Sequence, residues 1–203
     1  MTTLEILIGT ANRGKVTEIK RALKDLPLKL RVVTDFPNIA TPDECGSSYA
    51  ENAIIKAQSY ARQTGLWTLA DDSGLEVASL DGLPGLRSAR FGGEGLSDAG
   101  RTSLLLSKLL AAKDDERAAR FICAMVIAKQ TGEVINVTHG VCQGTIAKAP
   151  SGVEGFGYDP VFIPAGYETT FAEMPSSLKD TMSHRGKALA ATREFLQHFF
   201  LAL

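Results

Sequence analysis

The sequence offers little cysteine. Cys45, Cys123 and Cys142 are an odd number and form no Cys-x-x-Cys pair. That excludes a disulfide framework and a cysteine-built zinc site, and implies free thiols in a reducing cytosol. Long hydrophobic runs are missing as well, since none approaches the roughly 20 residues of a membrane span. Neither charge dominates: 22 Lys and Arg stand against 23 Asp and Glu, for a net charge of −1. A protein that wraps nucleic acid by bulk charge is therefore excluded. Any anion bound here has to be met by a few placed lysines and arginines. Internal repeats and low-complexity tracts are absent. Met1-Thr2-Thr3-Leu4-Glu5 puts no basic region ahead of an apolar one, so no secretory signal is expected.

What is present is ordinary for a globular enzyme: 203 residues, 44% hydrophobic and 22% charged. That length suits one large domain, or one domain of two lobes, with a real core. Leu4–Ile8 reads as a first strand. Val16, Ile19, Leu23 and Leu26 then fall at helical spacing until Pro27, and a short strand follows at Leu30–Val33. The turn between the first strand and the helix is Gly9-Thr10-Ala11-Asn12-Arg13-Gly14-Lys15. It has the spacing of a phosphate-binding loop, although Val16 stands where a magnesium-holding Ser or Thr would be. Free backbone N–H groups at a helix start, with a lysine beside them, make an anion site, and Asn12 can donate to a phosphate oxygen.

The apolar run Leu66–Ala70 ends in Asp71-Asp72-Ser73-Gly74. Neighbouring residues of a strand point to opposite faces. A strand end rolling into a Ser-Gly turn would instead turn both carboxylates to one cleft, with Leu75–Val77 as the next strand. Paired carboxylates in such a place suit a magnesium ion, an activated water, or both. A polar turn that merely caps the strand is the alternative on this stretch alone.

Ser48 with Glu51 three residues later forms a capping box for a helix whose apolar stripe is Ala50, Ala53, Ile54, Ala57, Tyr60 and Ala61, ended by Gly65. Asn52 and Lys56 share another face of it. Ser97 opens a further helix through Leu104, Leu105, Leu109 and Leu110. Arg120–Ala128 is a central strand, and Val134–Ile146 returns beside it, antiparallel. His139, within that strand, carries no assignment. Phe156 and Tyr158 lie on a glycine-rich loop, followed by a strand at Val161–Ile163 and a mostly irregular stretch, 164–182, that contains Lys179. The last helix opens at Ser183 and buries Ala188, Leu189, Thr192, Phe195, Leu196, Phe199 and Leu203. His184 and Arg185 sit in its first turn, where the helix dipole disfavours cations, so they call for an anion or a polar acceptor.

Six ordered blocks now carry a resemblance. They are Thr10-x-Asn12-x-x-Lys15; Glu44-x-Gly46 running into Tyr49-x-Glu51-Asn52-Ala53-x-x-Lys56-Ala57; Ala70-Asp71-Asp72-Ser73-Gly74-Leu75; Pro84-Gly85 with Ser88-Ala89-Arg90-Phe91; Gly155-Phe156-Gly157-Tyr158-Asp159-Pro160; and Ser183-His184-Arg185-Gly186-x-Ala188-Leu189. The chain resembles the inosine/xanthosine triphosphate pyrophosphatase family over nearly its whole length. The stretch 95–113 departs from the family pattern and lacks an expected asparagine.

The resemblance implies an α/β fold, with a mixed central sheet, flanking helices and two lobes around a central groove, making residues 1–203 one two-lobed domain. It implies a cytoplasmic homodimer, with neither nucleic acid nor membrane as partner, that hydrolyses dITP, ITP and XTP to monophosphate and pyrophosphate with Mg2+. It makes Asp72 the proton acceptor and a metal residue, with Glu44 as a second metal residue and Asp71 as a further candidate. Asn12, Lys15, Lys56 and Lys179 bind the triphosphate, and Thr10, Ala11, Arg13 and Gly14 are further substrate-binding residues. Ser73, Phe156, Gly157, Tyr158, Asp159, His184 and Arg185 hold the nucleoside. A pyrophosphatase of similar fold acting on dTTP or UTP, and a nucleotide-binding regulator without catalysis, remain the alternatives.

Overall fold

Alternating apolar and helical patterns resolve into six strands and five helices in the computed structural model, which describes residues 3–202. In chain order these are β1 (Leu4–Ile8), α1 (Arg13–Leu23), β2 (Leu28–Val32), α2 (Tyr49–Thr64), β3 (Trp67–Val77), α3 (Asp98–Lys108), β4 (Ala118–Ala128), β5 (Val134–Ile146), β6 (Phe162–Pro164), α4 (Ser176–Met182) and α5 (His184–Leu201). Leu203, assigned to the buried stripe of the last helix, lies outside the described residues, as do Met1 and Thr2. The strands are hydrogen-bonded in the order β2-β1-β3-β4-β5-β6. β1 runs parallel to β2 and to β3, whereas β5 and β6 are antiparallel, so the sheet is mixed. β4 and β5 are neighbours joined by a turn in which the Lys129 N–H donates to the Glu133 carbonyl at 2.8 Å.

Contact density divides the chain into two units. The first holds residues 1–72, 123–140 and 185–203. Its sheet is covered on both faces, as parallel strands require. Ile6, Ile8 and Leu69 pack with Ile19 and Leu23 of α1 and with Leu189 and Leu196 of α5, all buried. Leu7, one residue out of step, packs instead with Val33 and Tyr60 of α2. The second unit holds residues 73–122 and 141–184. Its core is aromatic: Phe121, Phe162 and Phe171 contact one another, with Leu105, Leu109 and Met174 around them.

Several boundaries differ from the sequence reading. α1 ends at Leu23, and Leu26 lies in the turn that follows. α3 ends at Lys108, leaving Leu110 85% exposed. Lys179 belongs to the helix α4 rather than to an irregular stretch. The largest difference is in β3, which runs unbroken from Trp67 to Val77 through Asp71-Asp72-Ser73-Gly74. Pairing in the sheet overrides the local turn preference of Ser and Gly.

Candidate active site

Because β3 is continuous, Asp71 and Asp72 take opposite faces. Asp71, two residues after Leu69, is fully buried and meets α1 and α5. Its Oδ2 lies 3.0 Å from the Lys15 ammonium and 3.3 Å from Arg185 Nε. The other end of the Arg185 guanidinium reaches Glu18 Oε2 at 2.7 Å, and both residues are buried. Arg185 thus finds the acceptors that its place at a helix start called for. The Cys123 thiol sits 3.9 Å from Asp71 and is pushed up to about 12, by burial first and then by the Asp71 charge. It is no nucleophile at neutral pH. Burial works to raise the pKa of Asp71, yet Lys15, Arg185 and Lys56 together outweigh it and hold the carboxyl well below the usual range.

Asp72 meets α2 instead. Its Oδ2 accepts from Asn52 Nδ2 at 3.1 Å, and its Oδ1 lies 3.3 Å from the Lys56 ammonium. The same ammonium holds Glu44 Oε1 at 2.6 Å. Burial raises the Asp72 pKa above its ordinary value, Glu44 adds to the rise, and Lys56, Lys15 and Asn52 offset only part of it. Burial alone would lower the pKa of Lys56, but Asp72, Asp71 and Glu44 raise it and keep it charged. The pKa values of the two neighbouring carboxyls are therefore driven apart, that of Asp71 below the ordinary aspartate value and that of Asp72 above it, which is how a site separates a fixed charge from a proton acceptor.

α2 supplies Asn52 and Lys56 from its buried face, where the alanine stripe had suggested a second, polar face. Ser48 caps the helix, accepting from the Glu51 N–H at 3.2 Å, while the Glu51 carboxylate turns back to the Ser47 N–H and hydroxyl. Asn52 Oδ1 also accepts from the Gly46 N–H at 2.8 Å, fixing the loop that carries Glu44. At the start of α1, Asn12 is the cap: its Oδ1 accepts from the Lys15 N–H at 3.1 Å, which leaves its amide nitrogen as the donating end. Thr10 accepts from the Asn12 N–H. The Arg13 and Gly14 amides, in the first turn, point out of the helix end. Ala11, Asn12 and Arg13 are exposed. Asn12, Lys15, Glu44, Lys56, Asp71, Asp72 and Arg185 thus gather in the first unit.

The second unit gathers the rest. Asp159 Oδ2 accepts from the Lys179 ammonium at 2.6 Å and from the Phe156 N–H at 2.8 Å, and Asp159 and Lys179 are both buried. The ammonium also lies 5.0 Å from the centre of the Phe156 ring. Tyr158 is a core residue: its ring is buried and its hydroxyl donates to the Ser88 carbonyl at 2.9 Å. Phe156 is half-buried and remains the aromatic of that loop available for stacking. His184 is buried and stacks on Phe121 with centroids 4.5 Å apart and planes 8° from parallel. Ser73, half-buried, continues β3. Gly155, at φ +78°, lies where an added Cβ would run into the Asp159 carboxylate. Gly155→Ala is therefore expected to lower stability by about 2 kcal/mol or more, from left-handed strain and from the displaced partner of a buried lysine, as read by urea denaturation.

Asn52, Glu18 and Cys123 are not among the residues that the sequence assigns to the site. Glu18 carries a usable signal, since it lies three residues after Lys15 and beside Ile19 on the apolar side of α1. Asn52 carries another, four residues before Lys56. Cys123 has none.

No group of three or more His, Cys, Asp or Glu side chains suited to a metal ion occurs among the described residues. Magnesium needs fewer, since it is usually held by one or two carboxylates together with substrate phosphates and waters. Glu44 and Asp72, drawn to one ammonium, are such a pair of hard oxygen donors. Asp71 lends support too: its Oδ1 is buried and has no hydrogen-bond partner among the described residues. The donor set fits magnesium. No described helix is long and apolar enough to cross a membrane.

A model of the Ham1 family matches residues 6–195. The dITP/XTP pyrophosphatase of Desulforamulus reducens is 41% identical over 98% of this chain and 98% of its own. Among solved structures, a HAM1 protein from Coxiella burnetii superposes with a TM-score of 0.87 at 40% identity, covering 96% of this chain and 99% of its own. The Ham1 protein of Staphylococcus aureus gives 0.83 at 34% identity, covering 96% and 98%.

Proposed function

Because the chain belongs to the Ham1 family, we infer that it hydrolyses non-standard purine nucleoside triphosphates, dITP, ITP and XTP, to the monophosphate and pyrophosphate. The observation that carries the reading is Asp72, a carboxylate held between Asn52 and Lys56 with its pKa raised by burial.

The chemistry follows from the leaving group. Pyrophosphate departs, so water attacks the α-phosphorus, and one proton must leave that water. Asp72 is the acceptor, oriented by Asn52 and made more basic than an ordinary aspartate by burial. A nearly tetra-anionic triphosphate repels the attack, so its charge has to be offset before reaction. Lys15, Lys56 and Lys179 are assigned to that offset, with the Asn12 amide nitrogen and the first-turn amides of α1 as further donors. Magnesium, held by Glu44 and Asp72, would add neutralisation of the phosphate oxygens. Asp71 keeps Lys15 and Arg185 in place as a fixed negative charge. Phe156, Gly157, Asp159 and His184, with Ser73, are assigned to the nucleoside. The 6-keto group of hypoxanthine or xanthine is an acceptor where adenine carries an amino donor, so buried donors left unpaired against adenine discriminate against it. The same reading takes residues 1–203 as one two-lobed domain and the enzyme as a cytoplasmic homodimer, without nucleic acid or membrane as partner.

Purified protein with magnesium, assayed on ITP, XTP, dITP, ATP and GTP, tests the reading. Pyrophosphate release, with ITP and XTP preferred over ATP by two or more orders of magnitude in kcat/KM, is the expected result, about the scale that hydrogen-bond mismatch supplies. Release of inorganic phosphate, or a preference for ATP, overturns it.

A further inference from the structure

We propose that Asp98, in the first turn of α3, is a positioning residue for the nucleotide that acts through the backbone of Gly157. The proposal rests on the reading that Phe156, Gly157 and Asp159 hold the nucleoside, and it gives a task to a helix whose sequence departs from the family pattern.

Phe156 lies between two glycines of left-handed backbone, Gly155 at φ +78° and Gly157 at φ +62°. Glycine samples that region freely, so a pair flanking one aromatic residue would leave its ring poorly directed unless the neighbouring peptides are tied down. Both sides are tied. On one side Asp159 accepts the Phe156 N–H at 2.8 Å and the Lys179 ammonium at 2.6 Å. On the other, Asp98 Oδ2 accepts the Gly157 N–H at 2.8 Å, and the buried Thr102 hydroxyl, one turn further along α3, makes a longer bond of 3.4 Å to the Gly157 carbonyl. The second Asp98 oxygen pairs with Arg101, which also donates to the Leu96 carbonyl and so braces the carboxylate from behind.

Apart from the Gly157 N–H, that carboxylate meets the Arg101 guanidinium. The Asp98 side chain is half-exposed, and the helix cap belongs to Ser97, whose hydroxyl accepts the Gly100 N–H. The contact touches no reacting atom. Its loss makes the loop pay ordering entropy when nucleotide binds, which raises KM and leaves kcat nearly untouched.

The test combines amide hydrogen exchange of the loop with steady-state kinetics on ITP, for wild type, Asp98→Ala and Asp98→Asn. Asp98→Ala is expected to speed exchange at residues 156–159 and to raise KM about 10-fold, the order of one charge-assisted hydrogen bond, with kcat within about twofold. Asp98→Asn keeps an acceptor oxygen for the Gly157 N–H and is expected to restore both. Unchanged exchange in Asp98→Ala overturns the clamp, as does an Asn variant as defective as the Ala variant. Faster exchange with unchanged KM overturns the assignment of this loop to the nucleoside, and the binding role of Asp98 with it.

Discussion

Asp72→Asn is expected to lower kcat by about 10³, within the range that a positioned general base supplies, while nucleotide affinity changes by no more than a few-fold. Asn is isosteric with Asp, and its one carbonyl oxygen can still accept from the Lys56 ammonium or from the Asn52 amide, though not from both, because its NH2 group faces the other donor. What is lost is the ability to accept a proton from the attacking water. Single-turnover kinetics with ITP, beside equilibrium binding of a non-hydrolysable analogue, separates the two effects. Turnover near that of wild type would move the base elsewhere. The wild-type pH profile carries the same signature. Burial and Glu44 raise the Asp72 pKa, so kcat/KM falls with decreasing pH through a value above the ordinary aspartate range near about 3.9. An acidic limb at or below that range contradicts the assignment.

Arg185→Met is expected to cost about 3–5 kcal/mol of stability, the usual penalty for stranding buried charge. Arg185, Glu18 and Asp71 are all buried, and the guanidinium bridges the two carboxylates. Removing it leaves Glu18 without its 2.7 Å partner and Asp71 with Lys15 alone of its two close cations. Urea denaturation followed by the fluorescence of Trp67 reports the loss; this is the only tryptophan, and it lies 5.0 Å from the Phe199 ring of α5. Adding Glu18→Gln to Arg185→Met should recover part of the loss, because deleting both members of a buried pair is far less costly than deleting one. Acid sensitivity gives an independent check. Asp71 has a depressed pKa, so its contribution is present above the unfolded value of about 3.9 and is lost as pH falls through the depressed one. Without Arg185 that value rises, and acid unfolding of the variant begins at higher pH than in wild type. Equal acid midpoints would show that Arg185 does not set the Asp71 charge.

Elements with a clean period were legible. β1 and β5 take the residues expected of them, Leu4–Ile8 and Val134–Ile146, and α2 starts at the cap that Ser48 announces. The Asp-Asp stretch misled because Ser73-Gly74 is a strong local turn signal, and nothing local shows that the sheet continues through it. α4 escaped notice because Ser176, Lys179, Asp180 and Thr181 give its seven residues no apolar period. Residue types for the site were visible in the ordered blocks, but partners were not. Arg185 and Glu18 stand 167 positions apart, and pairing across such a span is a property of packing. Burial was hidden too. Asn52 and Lys56 read in the sequence as a polar face apart from the alanine stripe, and their small neighbours are what let that face close on β3.

The unbroken path of β3 also bears on how this chain can drift. Side chains in a strand have a period of two, so adding or deleting one residue between Trp67 and Ala70 exchanges the faces of everything beyond it. An insertion would carry Asp71 into the place that Asp72 holds beside Asn52 and Lys56 and push Asp72 one position beyond it; a deletion would carry Asp72 into the place that Asp71 holds beside Lys15 and Arg185 and draw Asp71 one position back. Both carboxylates would still be present, but in either case one takes the other's partners and the second loses its own. Point substitutions along Trp67–Ala70 that preserve volume leave the arrangement intact, whereas a one-residue change in length breaks it. Length in this segment is held more tightly than identity, and a library of single-codon insertions and deletions across 67–70 should return no active member.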